Sequence, residues 1–360
     1  MKEFTLSGPG WFDRQPDPVI WARCGTVAYF NPAAGDLARR MGWPMAEGEG
    51  LPGPLAELEG QGTVTFSLEG ENWLCRTAEL EGGTLYQLSP APETSSVSLD
   101  RLSQIAGQLR TPLGNLIGAS QLLEYPRADR SPEKTEQYRA IQRKNYHILL
   151  RMLDSLDFLG TISGAEAPFR PQILDFGGLC GDVVRRAQGV GDQAGCTLTL
   201  DQRSGNLLVR GEERMLRKLI YQLLSNAIRA AGNPGRVVLR LEAREKRWVR
   251  LTVSDSGQGF SAAQLARAFD PARGGDTLAE GERGLGLGIS ICRAVAEKHG
   301  GRMALLSGDG GKAVVELPLC TDLTGGELHS PQDFSGGLNE TLIQLADVLP
   351  WQCFLSDDEN

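Results

Sequence analysis

The sequence has no apolar run approaching the ~20 residues that a helix needs to cross a bilayer, and Met1–Gly10 has no apolar core of the kind a secretory leader requires. Both absences lead to the expectation of a cytoplasmic chain without a membrane span. The seven cysteines, Cys24, Cys75, Cys180, Cys196, Cys292, Cys320 and Cys353, are odd in number, scattered, and never spaced as C-x-x-C. That usage argues against a zinc site and suits a reducing compartment. No basic cluster offsets the formal net charge of −8, which argues against nucleic acid as a partner. Two familiar phosphate loops are also missing: there is no Gly-x-x-x-x-Gly-Lys-Ser/Thr, and no acidic residue placed as in a dinucleotide fingerprint.

What is present is ordinary globular composition, with 41% hydrophobic and 23% charged residues over 360 positions. That length can hold two or three domains, each with its own core. The chain is organised around Gly284–Gly301, where Gly284, Gly286 and Gly288 lead into a helical pattern carried by Leu287, Ile291 and Val295, with Ile289 one position off. A glycine loop feeding a helix N-terminus favours an anion: the first N–H groups lack partners, the dipole is positive there, and glycine admits close approach.

Towards the N-terminus, Pro18–Pro90 reads as a small α+β unit. Val19–Trp21 and Thr26–Phe30 alternate as strands about a turn at Cys24–Gly25, and Asn31-Pro-Ala-Ala then caps a helix through Arg40. Thr63–Leu68, Asn72–Ala78 and Leu85–Leu88 are three further strands separated by glycine turns. Residues 91–98 are polar and Pro/Ser-rich, a linker.

Two long helices follow. The first carries Leu99, Leu102, Ala106, Leu109, Leu113, Leu116, Ser120 and Leu123 at steps of three and four and ends at Pro126; the second starts near Ser131 and carries Tyr138, Ile141, Asn145, Ile148, Met152, Ser155 and Leu159, with Leu102, Leu109, Leu116, Leu123, Ile141, Ile148 and Met152 as the seam residues. Two antiparallel helices do not close a core by themselves, so this stripe is expected to form the seam of a dimeric four-helix bundle, with docking on a neighbouring domain as the alternative that explains the same stripe. Pro112 lies inside the first helix and is expected to kink it. From Phe169 to Leu319 helices and strands alternate as one α/β domain.

Within the first helix, Ala106-Gly107-Gln108-Leu109-Arg110-Thr111-Pro112-Leu113 resembles the H box of sensor histidine kinases, Ser-His-Glu-Leu-Arg-Thr-Pro-Leu. Leu219–Arg229 fits that family's N box, Asp255-Ser-Gly257-Gln-Gly259-Phe260 its first glycine box, Phe269-Asp-Pro271 its phenylalanine box, and Gly284–Ile291 its second glycine box. The strand-turn-strand-Asn-Pro-Ala-Ala opening resembles a PAS domain. The resemblance implies an α+β multidomain chain: a PAS-like sensor domain over 1–90, a linker over 91–98, a helical hairpin over 99–163 that forms the dimeric four-helix bundle, and an ATP-binding α/β sandwich of the histidine kinase, Hsp90, topoisomerase and MutL type over 169–319. Residues 320–360 stay unassigned. Their amphipathic stretch at 338–349 is either a docking helix or part of a solvated tail, with the tail preferred.

For the site, the resemblance implies ATP with Mg²⁺ as cofactors. Asn226 would coordinate the metal, Gln222 replaces an earlier asparagine, and Arg229 takes the place of a lysine near the phosphates. Asp255 would accept from the adenine amino group, Gly257 and Gly259 would admit the ring, and Gly284, Leu285, Gly286, Leu287 and Gly288 would hold the phosphates. Arg273–Arg283 would be a lid, and Ala272 departs from the phenylalanine box. The larger departure is in the H box. Gly107 stands at the phosphoacceptor histidine and Gln108 at the neighbouring carboxylate, while the histidines present, His147, His299 and His329, lie elsewhere.

Whether the chain is an enzyme is therefore left open. The preferred reading is a degenerate histidine kinase, a pseudokinase of a two-component system acting as a homodimer on a response regulator or partner kinase. The alternatives are residual response-regulator phosphatase activity using Thr111 and Gln108, or a kinase with a non-standard acceptor.

Overall fold

The computed structural model describes residues 13, 15–51, 55–56, 63–68, 71–80, 82–90, 99–124, 131–163, 169–205, 207–245, 247–261, 264–265, 287–320 and 339–355. The linker over 91–98, the phenylalanine box, the lid, and Gly284, Leu285 and Gly286 lie outside them.

The N-terminal unit comprises β1 (Val19–Arg23), β2 (Thr26–Phe30), α1 (Pro32–Met41), β3 (Thr63–Leu68), β4 (Glu71–Leu80) and β5 (Gly83–Pro90), with strand order β2-β1-β5-β4-β3. Asn31 sets its geometry. The side chain accepts from Ala34 N at 2.9 Å, capping α1 ahead of Pro32, and from Val19 N at 2.9 Å, pinning the helix to β1. Gly42 ends α1 in the left-handed conformation, at φ 61°.

Two helices, α2 (Leu99–Glu124) and α3 (Pro132–Ser163), form an antiparallel hairpin. Helix α2 runs as one element through Pro112. Polar pairs fix the register of the two: Asn115 Nδ2 donates to Asn145 Oδ1 at 3.1 Å and Gln142 Nε2 to Ser120 Oγ at 2.8 Å. The expected seam divides within the protomer. Leu116, Ile148 and Met152 are buried inside the protomer, whereas Leu113, Ile117, Leu122, Tyr146, Leu150 and Leu153 are exposed. Both helices are apolar over more than one face, so one stripe packs internally and a second stays on the outside.

The third region consists of β6 (Gln172–Asp175), α4 (Phe176–Gln193), β7 (Cys196–Gln202), β8 (Leu208–Gly211), α5 (Glu213–Ala231), β9 (Gly235–Arg244), β10 (Trp248–Asp255), α6 (Gly288–Lys298), β11 (Arg302–Gly308) and β12 (Gly310–Pro318). Helices α4, α5 and α6 bury their apolar faces on one side of the sheet β11-β12-β10-β9-β7. The short strand β6, which pairs with β8 outside that sheet, is not foreseen from sequence.

Strand β11 also pairs antiparallel with β3, matching Ala304 to Phe66 and Leu306 to Val64, so the two sheets become one of ten strands. The pairing covers two edges that would otherwise expose unpaired backbone groups. Alternation then divides β11: Met303 and Leu305 join the core under the helices, while Ala304 and Leu306, with Val314 of β12, join the core of the N-terminal unit.

The preference for a solvated tail is overturned over 339–355. Helix α7 (Glu340–Leu345), capped by Asn339, and a 3₁₀ turn at Trp351–Phe354 pack onto α3, α4 and α5. Leu345, Leu349 and Phe354 are at most 3% exposed. Burial of each contributes about 1.5–3 kcal/mol, a gain that a solvated tail forgoes.

Candidate functional site

Helix α5 directs Leu216, Leu219, Ile220, Leu223 and Leu224 inward at helical spacing. Its other side carries Gln222 and Asn226 towards the start of α6. Gly288 lies there, and a Cβ on it would come within 2.9 Å of Gln222 Oε1 and 3.4 Å of Asn226 Nδ2. Glycine is what lets the α6 N-terminus approach the two amides so closely. Asn226 Nδ2 is buried and has no hydrogen-bond partner, which leaves an amide directed at the site with unused capacity.

Asp255 ends β10. Its Oδ1 accepts from Gly257 N at 2.9 Å and from Gly311 N at 3.2 Å, so the turn after β10 and the start of β12 both hold the carboxylate. Burial raises its pKa, and the two backbone hydrogen bonds oppose that rise by favouring the charged form. The adjoining glycines are sterically required. A Cβ on Gly257 would lie 2.2 Å from Ala230 O at the end of α5, and Gly259 adopts φ +72° with its missing Cβ directed at Ser307 Oγ. Ser307 Oγ accepts from Phe260 N at 2.9 Å, completing the floor. The structure thus brings the start of the first glycine box against the C-terminal end of the N-box helix, and the start of α6 against its middle.

Leu287 is buried at the start of α6. Arg229, expected near phosphates, is ion-paired with Asp347 of the docked C-terminal segment. Asp347 also pairs with Arg151 of α3 and accepts from Ser225 Oγ at 3.2 Å, and Arg151 Nη2 donates to Gln222 Oε1 at 3.1 Å. Sequence reasoning missed Arg151, Ser225 and Asp347. The only signal was the amphipathic stretch at 338–349, which says that a segment docks but not where.

On α2, Gly107 and Thr111 are exposed, and an added Cβ at Gly107 would meet no atom within 4 Å. Gln108 is half-buried and its Oε1 has no partner. His299 is buried: Nε2 accepts from Glu212 N at 3.0 Å and Nδ1 donates to Val295 O at 2.7 Å, an imidazole that joins two backbone segments. Burial, chiefly, holds its pKa below the usual value. The His147 ring lies against Phe354, with Nδ1 bonded to Arg143 O.

Residues 211–321 match the family described as histidine kinase-, DNA gyrase B-, and HSP90-like ATPase. The adaptive-response sensory kinase SasA of Synechococcus sp. (strain CC9311) is 30% identical over 281 residues, 77% of this chain and 69% of the relative. The sensor protein DivL of Caulobacter vibrioides is 30% identical over 244 residues, 67% of this chain but 31% of DivL. The chain likewise spans 54% of SasA from Prochlorococcus marinus subsp. pastoris. Among solved structures, histidine kinase ThkA in complex with response regulator protein TrrA aligns with TM-score 0.49 at 16% identity, over 84% of this chain and 96% of that one. On the 30% identity to a sensory kinase of which it covers 69%, the chain belongs to the sensor histidine kinase family.

Proposed function

We propose that this chain binds ATP with Mg²⁺ between Asp255, the two glycine segments and Asn226, and acts in two-component signalling as a dimeric pseudokinase that regulates a partner rather than phosphorylating itself. The observation that carries the ATP site is the Asp255 carboxylate. It is buried, held by Gly257 N and Gly311 N, and bordered by Gly257 and Gly259, where a Cβ would collide with Ala230 O and Ser307 Oγ, so only glycine fits beside the carboxylate.

Each residue has a definable task. The carboxylate accepts from the exocyclic amine of adenine, which selects adenine over a base with a carbonyl at that position. The N-terminus of α6 offers unpaired N–H groups to the phosphates. Mg²⁺, when bound, neutralises triphosphate charge, and the Asn226 amide oxygen is the hard ligand this chain supplies for it. Gly288, by lacking a Cβ, leaves room beside that amide.

The pseudokinase reading rests on Gly107. Phosphoryl transfer to the chain needs a nucleophilic imidazole in line with the γ-phosphorus, with a base beside it, and Gly107 and Gln108 supply neither. The exposed apolar face of the hairpin, with Ile117 at 58% and Leu153 at 57%, supports a dimer through that face. A response regulator or a partner kinase is the expected target.

Incubation of the purified chain with γ-labelled ATP, alone and with response regulators, tests this reading. Nucleotide binding without acid-labile label on the chain is expected. Acid-labile label on the wild type sinks it and directs the search to His147. A second reading, residual phosphatase activity on an aspartyl-phosphate, draws support from exposed Thr111 and the unpaired Gln108 Oε1. It predicts faster loss of label from a phosphorylated regulator, abolished in Thr111→Ala.

A further inference from the structure

The segment over 339–355 is more than a covering for the core. It touches the hairpin and the ATPase-like domain at once: Gln344 Nε2 donates to Asp154 of α3 at 3.2 Å, and Lys144 and Arg143 of α3 donate to the carbonyls of Leu349 and Phe354, each at 2.6 Å. On the other side, Thr341 Oγ1 shares a 2.7 Å hydrogen bond with Tyr221 OH of α5. Between these anchors Asp347 sits with its side chain 7% exposed, held by Arg151 from α3, Arg229 from α5 and Ser225 from α5. Two guanidinium groups and a hydroxyl converging on one enclosed anion make a built anion site. Its present occupant is the chain's own carboxylate.

We infer that the segment over 339–355 is an autoinhibitory clasp, in which Asp347 takes the place of a nucleotide phosphate at Arg229 and Arg151 and locks the ATPase-like domain onto α3. The inference rests on the proposed nucleotide site, since it needs Arg229 to face the phosphates. Arg229 lies three residues beyond Asn226 on α5, and Arg151 reaches the same helix through Gln222, so both guanidinium groups border the amides that face α6.

A phosphate oxygen and a carboxylate oxygen compete for the same donors. Nucleotide binding and clasp closure therefore oppose each other, and by reciprocity whatever detaches the clasp raises affinity for triphosphate. The same anchors hold the domain to α3, so detachment also frees it to move relative to the hairpin. The clasp thus links occupancy of the nucleotide site to the relative placement of two domains.

The test uses the full chain and two readouts. Calorimetric titration of wild type and Asp347→Asn with ATP·Mg²⁺ and with adenosine should show the variant binding ATP at least fivefold more tightly, with adenosine binding unchanged because it has no phosphate. Amide exchange on wild type alone, which needs no variant to fold, should show Ile343–Phe354 exchanging faster in ATP·Mg²⁺ while Asp255–Gly259 become protected. Protection at Asp255–Gly259 with no change at the clasp, or equal ATP affinity in the two proteins, overturns the clasp and leaves the nucleotide site standing. No binding of either ligand to either protein, without protection at Asp255–Gly259, overturns the nucleotide site and the clasp with it.

Discussion

Arg250 and Glu316 face each other across β10 and β12, and both Nε and Nη2 of the arginine donate to Glu316 Oε1, at 2.9 and 2.7 Å. Arg302, paired with Glu316 from the opposite strand β11, occupies the other carboxylate oxygen and donates to Met41 O at 3.0 Å, stacking between Trp43 and Trp248. Three strands and the N-terminal unit thus meet at one buried carboxylate. Replacement of one partner of such a group leaves the others uncompensated, so Glu316→Gln should cost about 3 kcal/mol at neutral pH by urea unfolding.

The same residue sets an acid limit. Burial alone would raise the Glu316 pKa, but Arg302 and Arg250 override it and the net shift is downward. A lowered folded pKa stabilises the protein above the unfolded value of about 4.3, and that contribution is lost as pH falls through the folded value. Wild-type stability should therefore drop below about pH 4.3. Glu316→Gln should show a shallower fall, and parallel curves for the two proteins would exclude the triad as the cause.

Asp255→Asn keeps the shape of the side chain but removes its charge. A hydrogen bond to a charged group contributes about 1.5–3 kcal/mol, so affinity for a fluorescent ATP analogue should fall about 10- to 100-fold. Equal affinity in the two proteins counts against the adenine role of Asp255.

Gly107→His with Gln108→Glu restores the two groups that phosphoramidate chemistry requires. The exposed position 107 has no atom within 4 Å of an added Cβ, and loss of a helical glycine should gain up to about 1 kcal/mol. The double variant should therefore fold, and acid-labile label from γ-labelled ATP should be found in it alone. A dark double variant that binds ATP would falsify the view that only the acceptor is missing.

For assembly, Ile117→Lys with Leu153→Glu should convert a dimer to a monomer in light scattering without lowering the unfolding midpoint, because both residues are more than half exposed in the protomer. Leu116→Ala should act in the opposite sense, destabilising by about 2–5 kcal/mol while leaving association intact. An unchanged mass for the charged pair assigns the dimer, if there is one, to another face.

Local pattern and spacing were enough to read much of this chain. The Asn31 cap, the ends of both long helices, the N-box helix and the strand before Asp255 are each specified by residues within a few positions of one another, where period and capping chemistry operate. The sequence also carried Gly107 at the position that the proposed reading compares with an acceptor histidine, a matter of one residue.

Tertiary structure decided the rest, because it depends on which surfaces meet. Whether Leu116 or Ile117 faces outward is not set by helical period when both lie on apolar stripes; only the neighbouring helix and the ATPase-like domain choose. The pairing of β11 with β3 joins segments more than two hundred residues apart in number, and any two strand edges satisfy the same backbone bonds. Asp347 reads in sequence as one acidic residue on an amphipathic stretch. Its meaning comes from burial, which removes water from around it and leaves Arg151, Arg229 and Ser225 to satisfy its charge.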